Sequence, residues 1–114
     1  MNLPDETELL SLFESEPILS DSDVPYFYNL VKYVFNNQSE QKIHITLQPA
    51  YDEFSIQVTD SNLKIADINL KPIDNLTIIS DNINEKKIML IGENLGVKIT
   101  FQPQFKIDLQ SSTE

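Results

Sequence analysis

The stretch KKIMLIGENLGVKITFQPQFKIDL, Lys86 to Leu109, is the one whose reading decides the fold. Its apolar residues recur with the two-residue period of strands, and Gly92-Glu93-Asn94-Leu95-Gly96 and Gln102-Pro103-Gln104 interrupt that pattern at two turn-like points. It predicts three consecutive antiparallel strands. In the second, Val97, Ile99 and Phe101 share one face while Lys98, Thr100 and Gln102 share the other. In the third, Phe105, Ile107 and Leu109 divide in the same way from Lys106, Asp108 and Gln110. One face is core and one is wet. Ile88-Met89-Leu90-Ile91 is apolar on both faces, which places the first of the three strands centrally.

The same period holds upstream, from Lys42 onward. Ile43, Ile45 and Leu47 alternate with His44, Thr46 and Gln48, then Pro49-Ala50-Tyr51-Asp52 turns the chain into Phe54, Ile56 and Val58, which alternate with Ser55, Gln57 and Thr59. That pair reads as a hairpin. After Asp60-Ser61-Asn62, the run Leu63 to Leu70 changes apolar parity between Ile65 and Ile68, which a bulge near Ala66 and Asp67 explains. Leu76 to Ile79 supplies a further strand, and Asp81 to Glu85 connects it to the closing unit.

Pro4 to Ser15 reads as a short helix: Pro4 suits a first helical position, Asp5, Glu6 and Glu8 favour the positive end of the dipole, and Leu9, Leu10, Leu12 and Phe13 form a stripe. Pro17 ends it, and Ile18 to Asp23 follows as a turn or loop. Val24 to Asn37, VPYFYNLVKYVFNN, carries two periods at once. A helix puts Val24, Phe27, Tyr28, Val31, Val34 and Phe35 opposite Pro25, Asn29, Lys32 and Asn36, with Tyr26, Leu30 and Tyr33 flanking and partly surfacing. Aromatic and β-branched content favours a strand instead. The clean polar stripe selects the helix. The expectation is one α+β domain over residues 1–114, with one or two N-terminal helices packed on a six- or seven-stranded antiparallel β-meander. Within it residues 1–37 are mainly helical, 42–109 form the antiparallel sheet, and 110–114 form a loose tail.

A chain of 114 residues can bury roughly two-thirds of its unfolded surface without staples. There is no cysteine, so disulfides, thiolate zinc sites and cysteine nucleophiles are excluded. The first ten residues are acidic where a signal peptide needs positive charge, and no apolar run nears the roughly 20 residues of a membrane helix. The expected location is the cytoplasm.

The net charge of −10 arises from 18 carboxylates against 8 lysines, with no arginine at all. Binding nucleic acid directly requires cations to displace counterions, and arginine is the preferred residue for phosphate and guanine. The charge points instead to a basic protein partner. Seven carboxylates and no lysine fall between Met1 and Asp23.

No residue set carries a catalytic signature. The sole histidine, His44, faces solvent on the strand reading, which leaves a general base or transition-metal site without its usual residue. No metal or other cofactor is expected. The acidic clusters at Asp21-Ser22-Asp23, Asp52-Glu53 and Asp81 to Glu85 do not match the twelve-residue calcium loop. Gly92 and Gly96 lack the lysine and helix start of a phosphate loop and read as turn glycines. Asp52 and Glu53 could serve a small hydrolase only if they flanked one bond, and adjacent side chains on an extended segment point apart.

What remains is surface: Asp21, Asp23, Asp52, Glu53, Asp81, Glu85 and Glu93 stand at loops and are the candidate partner-binding residues. In size, acidity and α+β make-up the whole chain resembles the immunity proteins of bacterial toxin–immunity pairs of the contact-dependent inhibition type. The resemblance implies a non-catalytic, stoichiometric inhibitor, a monomer or weak homodimer away from the membrane, that occludes a basic site on a toxin such as a nuclease. It carries no individual residue across. The alternative is a nucleic-acid mimic that blocks a DNA-binding or defence system, for which the acidic first 23 residues are the motive; a carboxylate-based hydrolase ranks last.

Overall fold

A computed structural model describes residues 1–110 of the chain. Its elements in order are α1 (Glu6–Phe13), β1 (Ile18–Leu19), a 3-10 turn (Tyr26–Tyr28), β2 (Val31–Asn36), β3 (Gln41–Gln48), a second 3-10 turn (Pro49–Tyr51) and β4 (Glu53–Asp60). Then follow β5 (Leu63–Leu70), β6 (Asn75–Asp81), β7 (Lys86–Gly92), β8 (Leu95–Gln102) and β9 (Lys106–Gln110). The strands form two antiparallel meanders, one ordered β1-β2-β3-β4-β5 and the other β6-β7-β8-β9. The α+β class holds, but among the described residues nine strands in two sheets and one α-helix replace the single sheet of six or seven strands.

Alternation sets the register. Ile43, Ile45 and Leu47 of β3 pair with Val58, Ile56 and Phe54 of β4, and all six are buried. The Ser61 and Asn62 backbones both take positive φ, 52° and 68°, as a two-residue hairpin turn demands. The bulge on β5 falls at Ile65, beside the expected Ala66: Val58 pairs with Ala66 while Thr59 pairs with Lys64. In the second sheet β7 lies between β6 and β8 as expected, with Ile88 and Leu90 buried and Ile91 exposed, so only one of its faces is core. Gly92 and Gly96 lie within strands, not in the turn, which Asn94 makes with φ 60°. Gly92 is demanded by space, because a Cβ there would stand 2.5 Å from the Pro72 carbonyl oxygen. Gln110 belongs to β9, and the rest of the expected tail lies outside the described residues.

The segment Val24 to Asn37 is not a helix. Pro25 to Asn29 closes one 3-10 turn and Val31–Asn36 is a strand, with Val31, Tyr33 and Phe35 buried and Lys32 and Asn36 exposed. Strand β2 gains a full ladder of partners on β3, from Val31 opposite Leu47 to Asn36 opposite Lys42, which an isolated amphipathic helix cannot match. Tyr33 is therefore core, and Phe27 and Tyr28, expected inside, are exposed. Ile18 and Leu19, expected in a loop, pair with Lys32 and Val31 at the sheet edge.

Helix α1 is shorter than expected. The Asp5 amide donates to Glu8 Oε1 at 3.0 Å to start it, and Glu14 in the left-handed region (φ 52°) stops it before Pro17 is reached. Its buried stripe is Leu9, Leu12 and Phe13, while Leu10 reaches solvent. The inner faces of both sheets and this stripe form one core. Phe13 joins the layers, with its ring 4.8 Å from Tyr33 of the first sheet and 5.4 Å from Phe101 of the second. At one end the sheets are tied by polar bonds: Asn37 Nδ2 donates to the Phe101 carbonyl (3.0 Å), and the Phe105 amide donates to Gln41 Oε1 (2.8 Å). At the other end the Ile73 amide donates to the Asp52 carbonyl (2.8 Å).

Candidate functional site

The seven carboxylates expected to bind a partner fall at the two opposite ends of the sheets. Asp81 and Glu85 close the β6–β7 connection, at the same end as the Asn37–Phe101 bond. Asp81 accepts hydrogen bonds from Lys86 Nζ and Ser11 Oγ, both 2.7 Å. Glu85 accepts from Ser80 Oγ at 2.6 Å and pairs with Lys87 at 3.3 Å. Those bonds hold the Glu85 carboxyl below its ordinary pKa, the Ser80 bond first and Lys87 next. These two carboxylates are engaged inside the molecule.

Asp21, Asp23, Asp52, Glu53 and Glu93 gather toward the other end. Asp21 and Asp23 lie on the loop between β1 and the first 3-10 turn, where the Asp23 amide donates to Asp21 Oδ1 at 3.0 Å. Asp52 and Glu53 follow the second 3-10 turn. Asp52 pairs with the amino terminus, while Glu53 accepts from Asn69 Nδ2 at 2.7 Å. The two adjacent carboxylates thus have separate partners and do not converge on one point. Glu93 follows Gly92 in the β7–β8 turn, near the Pro72 connection. Asp21, Asp23, Glu53 and Glu93 take part in no ion pair among the described residues.

Sequence reasoning missed what stands beside these carboxylates. The two 3-10 turns pack against each other. They carry Phe27, Tyr28 and Tyr51, which are 43%, 68% and 64% exposed. The Phe27 and Tyr28 rings meet edge to face at 5.3 Å, and Lys71 Nζ lies 6.0 Å from the centre of the Tyr51 ring. The one legible signal was Pro25 at the head of YFY, a residue that favours a turn start. The helical period of the neighbouring apolar residues masks it.

Asn29, only 4% exposed, holds the first turn. Its Nδ2 donates to the carbonyls of Asp21 (2.6 Å) and Val24 (2.9 Å), and its Oδ1 accepts from Ser20 Oγ (3.1 Å) and the Asp21 amide (3.3 Å). Below the turn the hydroxyls of Tyr26 and Tyr33 share a 2.8 Å hydrogen bond. Burial is the main reason both phenols titrate above their ordinary value. His44, the sole histidine, stands exposed on the outer face of the first sheet with Lys32, Thr46, Ser55 and Gln57 nearby.

No protein-family model matches the sequence, and no curated protein matches it. Among solved structures the chain is similar to one in a contact-dependent growth inhibition toxin–immunity protein complex from Klebsiella pneumoniae 342, with a TM-score of 0.71 and 25% sequence identity over 96% of each chain. The resemblance to immunity proteins of this type therefore holds at the level of the fold. No helix among the described residues is long and apolar enough to cross a membrane.

Proposed function

We propose that this chain is the inhibitory member of a toxin–immunity pair: a non-catalytic cytoplasmic protein that binds a cationic toxin, such as a nuclease, stoichiometrically and occludes its basic site. The observation that carries the reading is the fold similarity over 96% of both chains to a member of a toxin–immunity complex. Of the two kinds of chain in such a complex, the inhibitor fits better. The net charge is −10, Asp52 and Glu53 engage separate partners, and the one histidine stands exposed on a sheet face. Acidic carboxylates at the loops complement a cationic site and accelerate encounter with it. On this reading Asp21, Asp23, Asp52 and Glu53 lead the contact, Glu93 lies at its margin, and Asp81 and Glu85 contribute through the overall field.

The test is co-expression with a candidate toxin domain taken from a neighbouring gene, followed by purification of the complex and association kinetics across salt. Growth rescue, a one-to-one complex and an association rate that falls as screening shortens to about 8 Å at physiological ionic strength are the expected results. Neutralising Asp21 and Asp23 together should slow association more than it alters the thermal midpoint. Unrescued growth with no complex refutes the reading. Capture of a DNA-binding protein from which DNA displaces this chain would favour nucleic-acid mimicry.

A further inference from the structure

Among the described residues the exposed large aromatic side chains, Phe27, Tyr28 and Tyr51, all stand on two adjoining turns, and the turn carrying two of them is fixed by hydrogen bonds. Phe27 and Tyr28 occupy a single 3-10 turn closed by the Tyr28 amide to the Pro25 carbonyl (3.0 Å) and the Asn29 amide to the Tyr26 carbonyl (3.1 Å). A buried asparagine then ties that turn to the Asp21–Val24 loop through the bonds described above. The same device therefore orients two exposed rings and the loop bearing two unpaired carboxylates. Nothing in the core requires this, since neither ring belongs to the hydrophobic cluster.

Rigid tyrosine and phenylalanine bury much area for little loss of side-chain freedom, and aromatic residues dominate the energetic centres of protein interfaces. A turn already held in place avoids the ordering cost that a flexible loop pays on binding. The chemistry of the flank selects the partner. Carboxylates at Asp21, Asp23 and Glu53 accept charge-assisted hydrogen bonds, and the ring faces attract ammonium or guanidinium groups. Lys71 already shows one such contact beside Tyr51 within the molecule.

We propose that Phe27, Tyr28 and Tyr51 form the anchor that docks a cationic protein, with partner lysine or arginine side chains against the Phe27 and Tyr28 rings and Asp21 and Asp23 setting their orientation. The inference rests on the toxin-inhibitor reading and adds to it the face that binds.

The test uses the full chain and the purified candidate toxin domain of the co-expression test. Phe27→Ala, Tyr28→Ala and Tyr51→Ala are compared with Ile83→Ser, a change at a residue 76% exposed at the opposite end. Thermal midpoints establish that each variant is folded. At least one aromatic variant should weaken binding about thirtyfold or more, chiefly through faster dissociation, while Ile83→Ser changes it less than twofold. Asn29→Ala should weaken binding through disorder of the turn while all three rings remain. If the wild-type chain binds and every aromatic variant stays within twofold, the inference fails and the functional reading stands. A wild-type chain that binds no toxin overturns both. A dimer of the free protein that Tyr28→Ala dissolves also overturns the inference, because the rings then meet a second copy.

Discussion

The Nζ of Lys86 lies 2.7 Å from Asp81 Oδ1 and donates to the Ser11 carbonyl at 3.0 Å, so a lysine only 3% exposed fastens the end of α1 to the second sheet. Glu14 adds a longer contact at 3.2 Å, and the charge sits 5.7 Å from the centre of the Phe35 ring. A cation at a helix C-terminus complements the exposed carbonyls there. The Glu14 contact is largely open to water and contributes little.

Lys86→Met should therefore lower stability by about 1–3 kcal/mol, the range for losing charge-assisted hydrogen bonds while keeping most of the packed stem. Lys86→Ala should cost more, because the stem is lost as well. Urea denaturation followed by circular dichroism reads both. A Lys86→Met midpoint equal to that of the wild type would show that the clasp contributes nothing net.

The same pair makes a pH prediction. Partial burial alone would raise the Asp81 pKa, but hydrogen bonds from Lys86 and Ser11 and the lysine charge outweigh it and hold the carboxyl below its ordinary 3.8. A carboxyl whose folded pKa is depressed stabilises the fold above its unfolded value and loses that contribution as pH falls through the folded one. The stability gap between the wild type and Asp81→Asn should be flat near neutrality and shrink below pH 3.8. Subtracting the variant removes the background from the other carboxylates. A gap that widens on acidification contradicts the assignment.

Phe101→Ala should cost about 3–5 kcal/mol, because the ring is fully buried between Phe13 at 5.4 Å and Phe35 at 6.5 Å and its loss opens a cavity where helix and both sheets meet. Thr100→Ala, one residue away on the outer face, should cost less than about 1 kcal/mol. Differential scanning calorimetry of the two variants decides it, and equal losses would mean that the facing of β8 is wrong.

Gly92→Ala should destabilise by about 1–3 kcal/mol as an overpacked contact, since its new methyl would stand 2.5 Å from the Pro72 carbonyl oxygen and force the β5–β6 connection to move. Gly96→Ala meets nothing closer than 3.5 Å, from the Gln110 carbonyl oxygen, and should be tolerated. Amide chemical shifts from Lys71 to Asp74 should move in the first variant and stay in place in the second. Unfolding midpoints that rank the two variants the other way would exclude the close-approach argument.

Local alternation was enough to determine strand character for β3, β4 and β8, because one buried face imposes a period of two that no other element shares. The β3–β4 hairpin and, to within one residue, the bulge on β5 were legible for the same local reason. Residues 24–37 were not, since their apolar side chains satisfy two periods and only the ladder offered by β3 decides between them. Nor could alternation reveal that the strands divide into two sheets. That division is set by contacts between residues 64 apart, Asn37 with Phe101 and Gln41 with Phe105, whose polar side chains look like ordinary turn chemistry in the sequence. Acidity and its concentration before Val24 came from composition alone. Which carboxylates are engaged within the molecule did not, because Asp81 is held by a lysine that the chain carries as one of two adjacent and outwardly equivalent residues. The exposed rings of Phe27 and Tyr28 belong to the same class: apolarity predicts burial, and only the turn fixed by Asn29 turns them outward.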